Sequence, residues 1–349
     1  MESNRVTARA GSLDQRLRVP VNLEFPGSHL GLSWAYLGAD DVNEVYELDM
    51  RCRPNDRPSL VRRKEDLEPL LGAALTAHTY EMLGGRDSHG ELRAVAKVAL
   101  LAGVDSEHVS QLEAFIDPPW RGRGIGRALI DWQDGRARQL ISADGRDLPV
   151  SIESRVVSHL TERRRLLAAA GFSPNRTIEY LVRTVERNEE PSSAIQTKLD
   201  EARVGLIPFD PSLGEEIRTV FNRSQSHRLG GRLIPSLDFA REAGQMDPAL
   251  SFVAVTNEDP LVVGFLLARV DEGEFGAESR IVFLATERGW RNRGIADALM
   301  SAHLQACSVA GIRATGTTVD TKLNESSKSW VTRWDFFPRS TDIVYAIEM

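Results

Sequence analysis

The stretch Trp-Arg-Gly-Arg-Gly-Ile-Gly-Arg-Ala-Leu at residues 120–129 returns as Trp-Arg-Asn-Arg-Gly-Ile-Ala-Asp-Ala-Leu at residues 290–299. Both copies follow an apolar run typical of a strand, and both open an amphipathic helical pattern. A repeat of this length in the same context indicates a duplicated structural unit. We therefore expect two copies of one strand–turn–helix unit in the chain.

Each copy has the properties of a phosphate-binding turn. The first amides of a helix have no intrahelical acceptor and carry a partial positive charge, so they attract anions. Gly124 and Gly126 would leave these amides open and permit unusual turn angles, and Gly294 and Ala296 make the second entry nearly as open. The spacing matches neither G-x-x-x-x-G-K-[ST] nor G-x-G-x-x-G, the two common nucleotide-binding glycine motifs.

The pattern [RQ]-x-x-G-x-[GA] after a strand resembles the acetyl-CoA loop of the Gcn5-related N-acetyltransferase (GNAT) superfamily. Residues 121–126 and 291–296 both fit it. The lead-in at 116–118 also fits the V-x-P of that family, whereas the lead-in at 286–288 is looser. The resemblance extends over nearly the whole chain, and mycothiol synthase-like enzymes share this tandem layout.

The resemblance implies an α/β (α+β) fold of two tandem GNAT-like domains, each a mixed, largely antiparallel sheet flanked by helices. The expected domains are 21–186 and 201–349, joined by a linker at 187–200 and preceded by a tail, 1–20, expected to be disordered. Apolar periodicity predicts helices at 40–52, 61–71, 126–140, 160–170, 212–223, 236–243, 295–310 and 325–334. It predicts strands at 32–37, 91–101, 108–116, 150–156, 178–185, 202–207, 252–256, 262–270, 280–285, 313–319 and 343–348.

The cofactor implied by the resemblance is acetyl-CoA, used as a co-substrate, and the reaction is direct acetyl transfer to a primary amine of a small molecule. The implied cofactor-binding residues of the first half are Phe115, Ile116, Arg121, Gly122, Arg123, Gly124, Ile125, Gly126 and Arg127. Those of the second half are Arg291, Asn292, Arg293, Gly294, Ile295, Ala296, Asn324 and Ser327.

Acyl transfer to an amine needs a base and a group that stabilises the oxyanion. Glu113 is the first candidate base, because strands at this place in the resembling family often carry a carboxylate that faces the acceptor. His108 follows, since its ordinary pKa suits proton transfer, and Glu153 is third. The tyrosine that often protonates the leaving thiolate is absent from both halves, where Leu167 and Val331 stand.

The sequence favours the first half as the one with the better CoA-binding loop. It does not decide which half is catalytic. A carboxylate, Asp297, in the first turn of the second helix would repel a phosphate. Alternatives to the enzyme are a catalytically silent acyl-CoA-binding module and a scaffold in which the glycine turns only serve packing. The acceptor could also be a protein terminus or a lysine.

Composition excludes several other classes. A net charge of -7 argues against a general nucleic-acid binder, and no apolar run has the length of a membrane span. The first 20 residues lack the apolar core of a secretory signal, so a cytoplasmic protein is expected. Cys52 and Cys307 fit buried, reduced thiols, and no Cys/His spacing predicts a metal site. A monomer is preferred to a dimer, because a tandem pair supplies the contact within one chain.

Overall fold

The computed structural model describes residues 13–71, 78–101, 106–189, 193–225, 233–273, 276–321 and 330–349. Its helices are α1 (Leu13–Leu17), α2 (Val42–Asp56), α3 (Glu68–Leu71), α4 (Ile125–Asp144), α5 (Thr161–Ala169), α6 (Ser193–Ala202), α7 (Gly214–Gln225), α8 (Ser236–Ala243) and α9 (Ile295–Val309). Its strands are β1 (Ser33–Tyr36), β2 (His78–Arg86), β3 (Leu92–Leu101), β4 (His108–Ile116), β5 (Val150–Val157), β6 (Ser173–Thr184), β7 (Val204–Pro208), β8 (Phe252–Thr256), β9 (Val262–Gly273), β10 (Gly276–Thr286), β11 (Ala314–Asp320) and β12 (Phe337–Glu348).

The strands form one continuous sheet in the order β1-β2-β3-β4-β5-β12-β6-β11-β10-β9-β8-β7. Neighbours pair antiparallel except for two parallel pairs, β4 with β5 and β10 with β11. Each half thus contains one parallel pair, directly before and after its glycine turn and helix. This mixed, largely antiparallel sheet with flanking helices confirms the predicted fold class.

The last strands of the two halves are exchanged. β12, from the end of the chain, lies between β5 and β6, with Tyr345 opposite Ser154. β6, from the end of the first half, pairs with β11, where Tyr180 lies opposite Thr318. The domain limits 21–186 and 201–349 stay a sequence-based prediction, but the hydrogen-bonded sheet of each half is completed by the final strand of the other.

Alternation along the strands places one hydrophobic core on each face of each half. In β3, Ala94, Ala96 and Val98 pack under α4, whereas Val95 packs under α2 and α3 on the other face. In β9, residues 266 and 268 pack under α9, and residues 265 and 267 pack under α7 and α8. The α2/α3 face and the α7/α8 face lie on the same side as the central cavity described below.

Several predicted elements were wrong in detail. The disordered tail predicted for 1–20 includes α1, whose Leu17 is buried against α4, with Arg138 donating a hydrogen bond to the Leu17 carbonyl (2.5 Å). The helix predicted at 61–71 is only a short 3-10 turn followed by α3, because Pro69 has no N–H to donate and restricts the residue before it.

Two further elements were missed by the sequence analysis. The polar composition of 187–200 predicted a linker, but residues 193–202 form α6, which packs on α9. Strand β2 was not predicted; its Gly84 and Gly85 interrupt the apolar alternation, and each lies close to side chains from the region of β1. Among the described residues, no helix combines the length and the apolar character that crossing a bilayer requires.

Candidate active site

The two glycine turns have the same backbone conformation. The helix-capping glycines, Gly124 and Gly294, have φ values of 85° and 79°. Two residues earlier, Gly122 and Asn292 are also left-handed, with φ values of 78° and 63°. The sequence predicted unusual turn angles at Gly124 and Gly126; this was right for Gly124 and wrong for Gly126, which lies within α4 and has no positive φ.

Gly126 lies at a close contact between two helices. A Cβ atom at this position would lie 2.9 Å from a methyl group of Leu166 on α5. Helix α5 therefore packs directly over the first turn. The second half has Ala296 at the same place, so its turn tolerates a side chain there.

Arginine stacks on tryptophan in both turns. The Arg123 guanidinium lies 4.5 Å from the ring centre of Trp120, and that of Arg293 lies 4.8 Å from Trp290. These contacts fix the start of each turn and keep a positive charge beside it.

The first arginines of the two turns, Arg121 and Arg291, differ in how many hydrogen-bond and ion-pair partners they have. Arg121 forms a bidentate pair with Asp56 (2.7 and 3.1 Å) and donates to the Ile116 carbonyl (2.9 Å). Arg291 is exposed and has one long contact, 3.4 Å, to the Thr286 carbonyl, with no carboxylate partner among the described residues. Only Arg291 is therefore free to pair with an added anion.

In the second half, β10 and β11 separate next to the turn. They pair from Ser279 to Ile281, after which β10 has a bulge between Ile281 and Phe283. Beyond this point the β10 edge faces a cavity of about 450 Å³. The cavity is lined by α7, by residues 281–286 of β10, by the turn and first residues of α9, by residues 317–319 of β11 and by residues 330–333.

Two indole N–H groups stabilise the charge of Asp297. Its carboxylate accepts hydrogen bonds from Nε1 of Trp330 (2.8 Å) and of Trp334 (3.0 Å). These bonds partly offset the repulsion that the sequence predicted between Asp297 and a phosphate. On the other side of the turn, the side chain of Lys198 lies 3.0 Å from where a Gly294 Cβ would be, so α6 adds a cation beside the turn.

In the first half, the corresponding gap between β4 and β5 borders a cavity that no residue of the first turn lines. These strands pair as far as Leu112 and Ser154. Arg163 of α5 then reaches into the gap and donates a hydrogen bond to the Ala114 carbonyl (2.5 Å). A side chain of the protein itself therefore occupies a carbonyl on the free edge of β4. The corresponding edge of β10 in the second half faces the 450 Å³ cavity.

Glu113 lies in a cavity of about 520 Å³ between the two halves, and it is paired with two cations. Its carboxylate contacts Arg62 and accepts from Lys97 (2.7 Å). Burial would raise its pKa, but the charges of Arg62 and Lys97 outweigh burial and hold the Glu113 pKa well below its usual range. A carboxylate stabilised in this way is a weak base.

The other two candidate bases lie in different places. Glu153 also lines the central cavity, but it is buried in a pair with Arg176 (2.7 Å). His108 lies at the end of β4 away from the turn, where Nε2 donates to the Arg146 carbonyl (2.7 Å). The structure therefore brings Glu113 and Glu153 to one cavity and leaves His108 outside it. All three assignments stay predictions.

The predicted cofactor-binding residues divide between the two turns. Phe115 packs in the core under α2, with Arg62 over its ring at 5.4 Å. Asn324 and Ser327 lie outside the described residues. The remaining predicted residues lie in or beside the turns as expected from the repeat: Ile116, Gly122, Ile125 and Arg127 in the first, and Asn292, Ile295 and Ala296 in the second.

The sequence analysis missed the charged residues that reach the central cavity from other elements. Arg163, Arg269, Arg280 and Glu242 all line it, and none belongs to a recognisable motif. Arginine is common throughout the chain, so composition could not single them out. Their role depends on which strands and helices meet at the junction of the halves.

Comparison with known proteins agrees with this geometry. Residues 215–336 match the acetyltransferase (GNAT) family. The chain has no significant sequence match among curated proteins. Among solved structures it resembles a GCN5-related N-acetyltransferase from Sphaerobacter thermophilus, at 17% identity over 93% of this chain and 97% of that one, with a TM-score of 0.63.

Two further structures have the same overall fold. A tandem GNAT protein from the clavulanic acid biosynthesis pathway is 16% identical over 91% of this chain and 98% of its own, with a TM-score of 0.66. Saccharomyces cerevisiae N-myristoyltransferase, solved with bound myristoyl-CoA, is 13% identical over 97% of this chain and 82% of its own, with a TM-score of 0.61. At these identities the similarity shows the fold.

The family match, the duplicated turn and the strand order together define the class of protein. Residues 215–336 form a domain of the acetyltransferase (GNAT) family, and the chain as a whole has the fold of tandem GNAT proteins. The fold supports acyl transfer from CoA to an amine.

Proposed function

We propose that the protein is an acetyl-CoA-dependent N-acetyltransferase that acts on a small-molecule amine, with its cofactor cleft in the second half. The observation that carries this proposal is the difference between the two strand gaps. The second gap opens into a cavity of about 450 Å³ that the second turn also lines, whereas Arg163 bonds β4 in the first gap and no residue of the first turn lines the cavity there. This assignment departs from the preference for the first half that the glycine content suggested.

The second turn suits a pyrophosphate. The amides of Ile295, Ala296 and Asp297 precede the first helical hydrogen bond of α9, from Ala298 to the Gly294 carbonyl (2.9 Å). Such amides bind anionic oxygens at helix N-termini. Arg291 and Lys198 add positive charge beside them, and both side chains are exposed.

The separated strands suit an extended amide-containing arm. Backbone groups of β10 beyond Ile281 have left their ladder with β11, so their amides and carbonyls can bond a ligand that lies between the strands. A bound acyl-CoA supplies the thioester carbon that an amine attacks. An amide of β10 at the bulge would stabilise the negative charge that develops on the thioester oxygen.

The acceptor would approach from the central cavity. Arg280 lies one residue before the last β10–β11 pair and lines that cavity, so the cavity reaches the place where the strands part. The amine must arrive deprotonated or lose its proton to solvent or to a cavity carboxylate. Glu278 is not free for this role, because it accepts from Tyr180 and from Arg339 (2.7 Å).

Calorimetric titration of acetyl-CoA into the wild type, Gly294→Glu and Gly124→Glu tests the assignment. Both glycines cap equivalent helices at nearly the same φ, so each substitution introduces the same backbone strain, about 1–2 kcal/mol. Gly124→Glu is therefore a control for the backbone strain, whereas the Cβ added at Gly294 also lies 3.0 Å from Lys198, against 3.7 Å from Leu30 at Gly124. We expect one site in the wild type, its loss in Gly294→Glu and its retention in Gly124→Glu.

Three results would contradict the proposal. Loss of binding in Gly124→Glu alone would place the cofactor in the first half. Two sites, each lost separately, would mean that Arg163 does not keep the cofactor out of the first gap. Absence of binding by the wild type would refute the acetyltransferase assignment.

A further inference from the structure

Three arginines share two carboxylates where the second half meets the central cavity. Arg269 is buried and bonds both Asp66 (3.1 Å) and Asp271 (2.9 Å). Arg63 contacts the same two acids, at 3.2 and 3.7 Å. Arg280 bonds Asp271 only, through Nε at 3.1 Å. The group therefore holds three positive and two negative charges.

Arg280 is the least satisfied of the three. Its Nη atoms make no hydrogen bond within the part of the chain that the structure describes, although its side chain is only 16% exposed. Burial and the nearby charge of Arg269 lower the pKa of the Arg280 guanidinium, and the opposing charges of Asp271 and Asp66 do not fully balance them. A partly buried guanidinium with two free donors is a strong site for a carboxylate, which it can bind in a bidentate manner.

Arg280 lies where an acceptor must pass. It lines both the 520 Å³ central cavity and an adjoining cavity of about 360 Å³ that also includes Tyr180 and Glu278. It precedes Ile281, the last β10 residue paired with β11. A group bound at Arg280 is thus held close to the point where the strands separate.

A negative charge lines the same cavity. Glu242 of α8 has no hydrogen-bond or ion-pair partner for its carboxylate among the described residues. The other acids named above are paired: Glu113 with Lys97, and Glu153 with Arg176. Arg280 and Glu242 therefore offer a cation and an anion to a molecule that enters the cavity.

We infer that the acceptor is a zwitterion, an amine that also carries a carboxylate, with the carboxylate bound by Arg280 and the ammonium facing Glu242. This inference rests on the proposed function and specifies its acceptor. It disfavours a peptide amine, because the group next to a peptide's terminal amine is a neutral amide and not a carboxylate.

Product-like probes test the inference without knowledge of the natural acceptor. N-acetylglycine and N-acetylglycinamide differ only in carboxylate against amide, and each is titrated into the CoA-saturated protein. We expect the acid to bind at least about tenfold more tightly in the wild type, as for a charge-assisted pair. Arg280→Gln should bring the ratio to about one, and Arg280→Lys should retain part of the preference.

Arg155→Gln is the matched control, because Arg155 lines the same cavity but already pairs with Asp342. It should leave the acid-to-amide ratio unchanged. The inference is overturned if the acid binds no better than the amide, including the case in which neither binds, or if the preference survives Arg280→Gln. A preference for the amide would point to a peptide acceptor. Loss of CoA binding itself would count against the proposed function and not against the anion site.

Discussion

Mild acid is expected to destabilise the second half through His303, and His303→Gln should remove most of that effect. His303 is fully buried on α9. Its Nδ1 donates to the Leu250 carbonyl (2.8 Å), so Nε2 is the unprotonated nitrogen and accepts from the Thr315 hydroxyl (2.9 Å). Thr315 lies in the short parallel ladder of β10 and β11 that ends at the 450 Å³ cavity, so His303 joins α9 to that ladder.

The size of the effect follows from the pKa shift. Burial lowers the pKa of His303 from 6.5 to about 4, because the charged ring would have no solvation. The unfolded chain therefore binds a proton between these values and the folded chain does not. The stabilisation is fully present above pH 6.5 and is lost as the pH falls towards 4. Linkage gives about 2 kcal/mol lost between pH 7 and pH 5, out of a total of about 3 kcal/mol.

Urea unfolding at pH 7 and pH 5 measures the difference. His303→Gln should be less stable than the wild type at pH 7, because the glutamine side chain cannot reproduce both hydrogen bonds of the imidazole, to the Leu250 carbonyl and the Thr315 hydroxyl. Its further loss on moving to pH 5 should be smaller than that of the wild type by about 2 kcal/mol. His29→Gln, at an exposed histidine, is the control and should show the wild-type dependence. Equal losses in the wild type and His303→Gln would refute the reasoning.

Two other predictions concern the thiols and the exchanged strands. Burial raises the pKa of Cys52 to about 11 and that of Cys307 to about 12, so neither should react with an aromatic disulfide reagent at pH 8 until denaturant is added; prompt reaction of the native protein would contradict this. Because β12 completes the sheet of the first half, calorimetry should show one unfolding transition, and Ala346→Pro should lower its midpoint as a whole by removing a central ladder bond, at a cost of about 3 kcal/mol or more. Two separate transitions, or a shift confined to one of them, would show that the halves fold independently.

Much of the local structure could be predicted from the sequence, because it depends on nearby residues. The repeat at 120–129 and 290–299 located both turns, and the apolar period located α4 and α9 to within a few residues. Gly122 and Asn292 occupy equivalent positions of the two turns. Their left-handed conformation could also have been predicted, since asparagine tolerates that conformation. The prediction also placed an unusual angle on Gly126 because glycine content alone does not separate turn geometry from close packing.

The order of the strands was not open to such reasoning. β5 and β12 are paired through residues such as Ser154 and Tyr345, which are far apart in the chain. Either final strand could satisfy the hydrogen bonds of either half, since both have similar length and antiparallel direction. The choice depends on side-chain fit across the whole sheet, which no local pattern records.

The sequence by itself therefore determined the resemblance to the GNAT superfamily, the duplicated turn and most of the elements, because each follows from residue types at short spacing. Only the tertiary structure decided which strand gap opens beside its glycine turn and which charges meet there. Arg163 bonds a β4 carbonyl in the first gap from a neighbouring helix, and Arg280 contacts one acid, Asp271, which Arg269 also contacts. These outcomes depend on distances between elements, and charge balance in a cavity is a property of the groups that surround it.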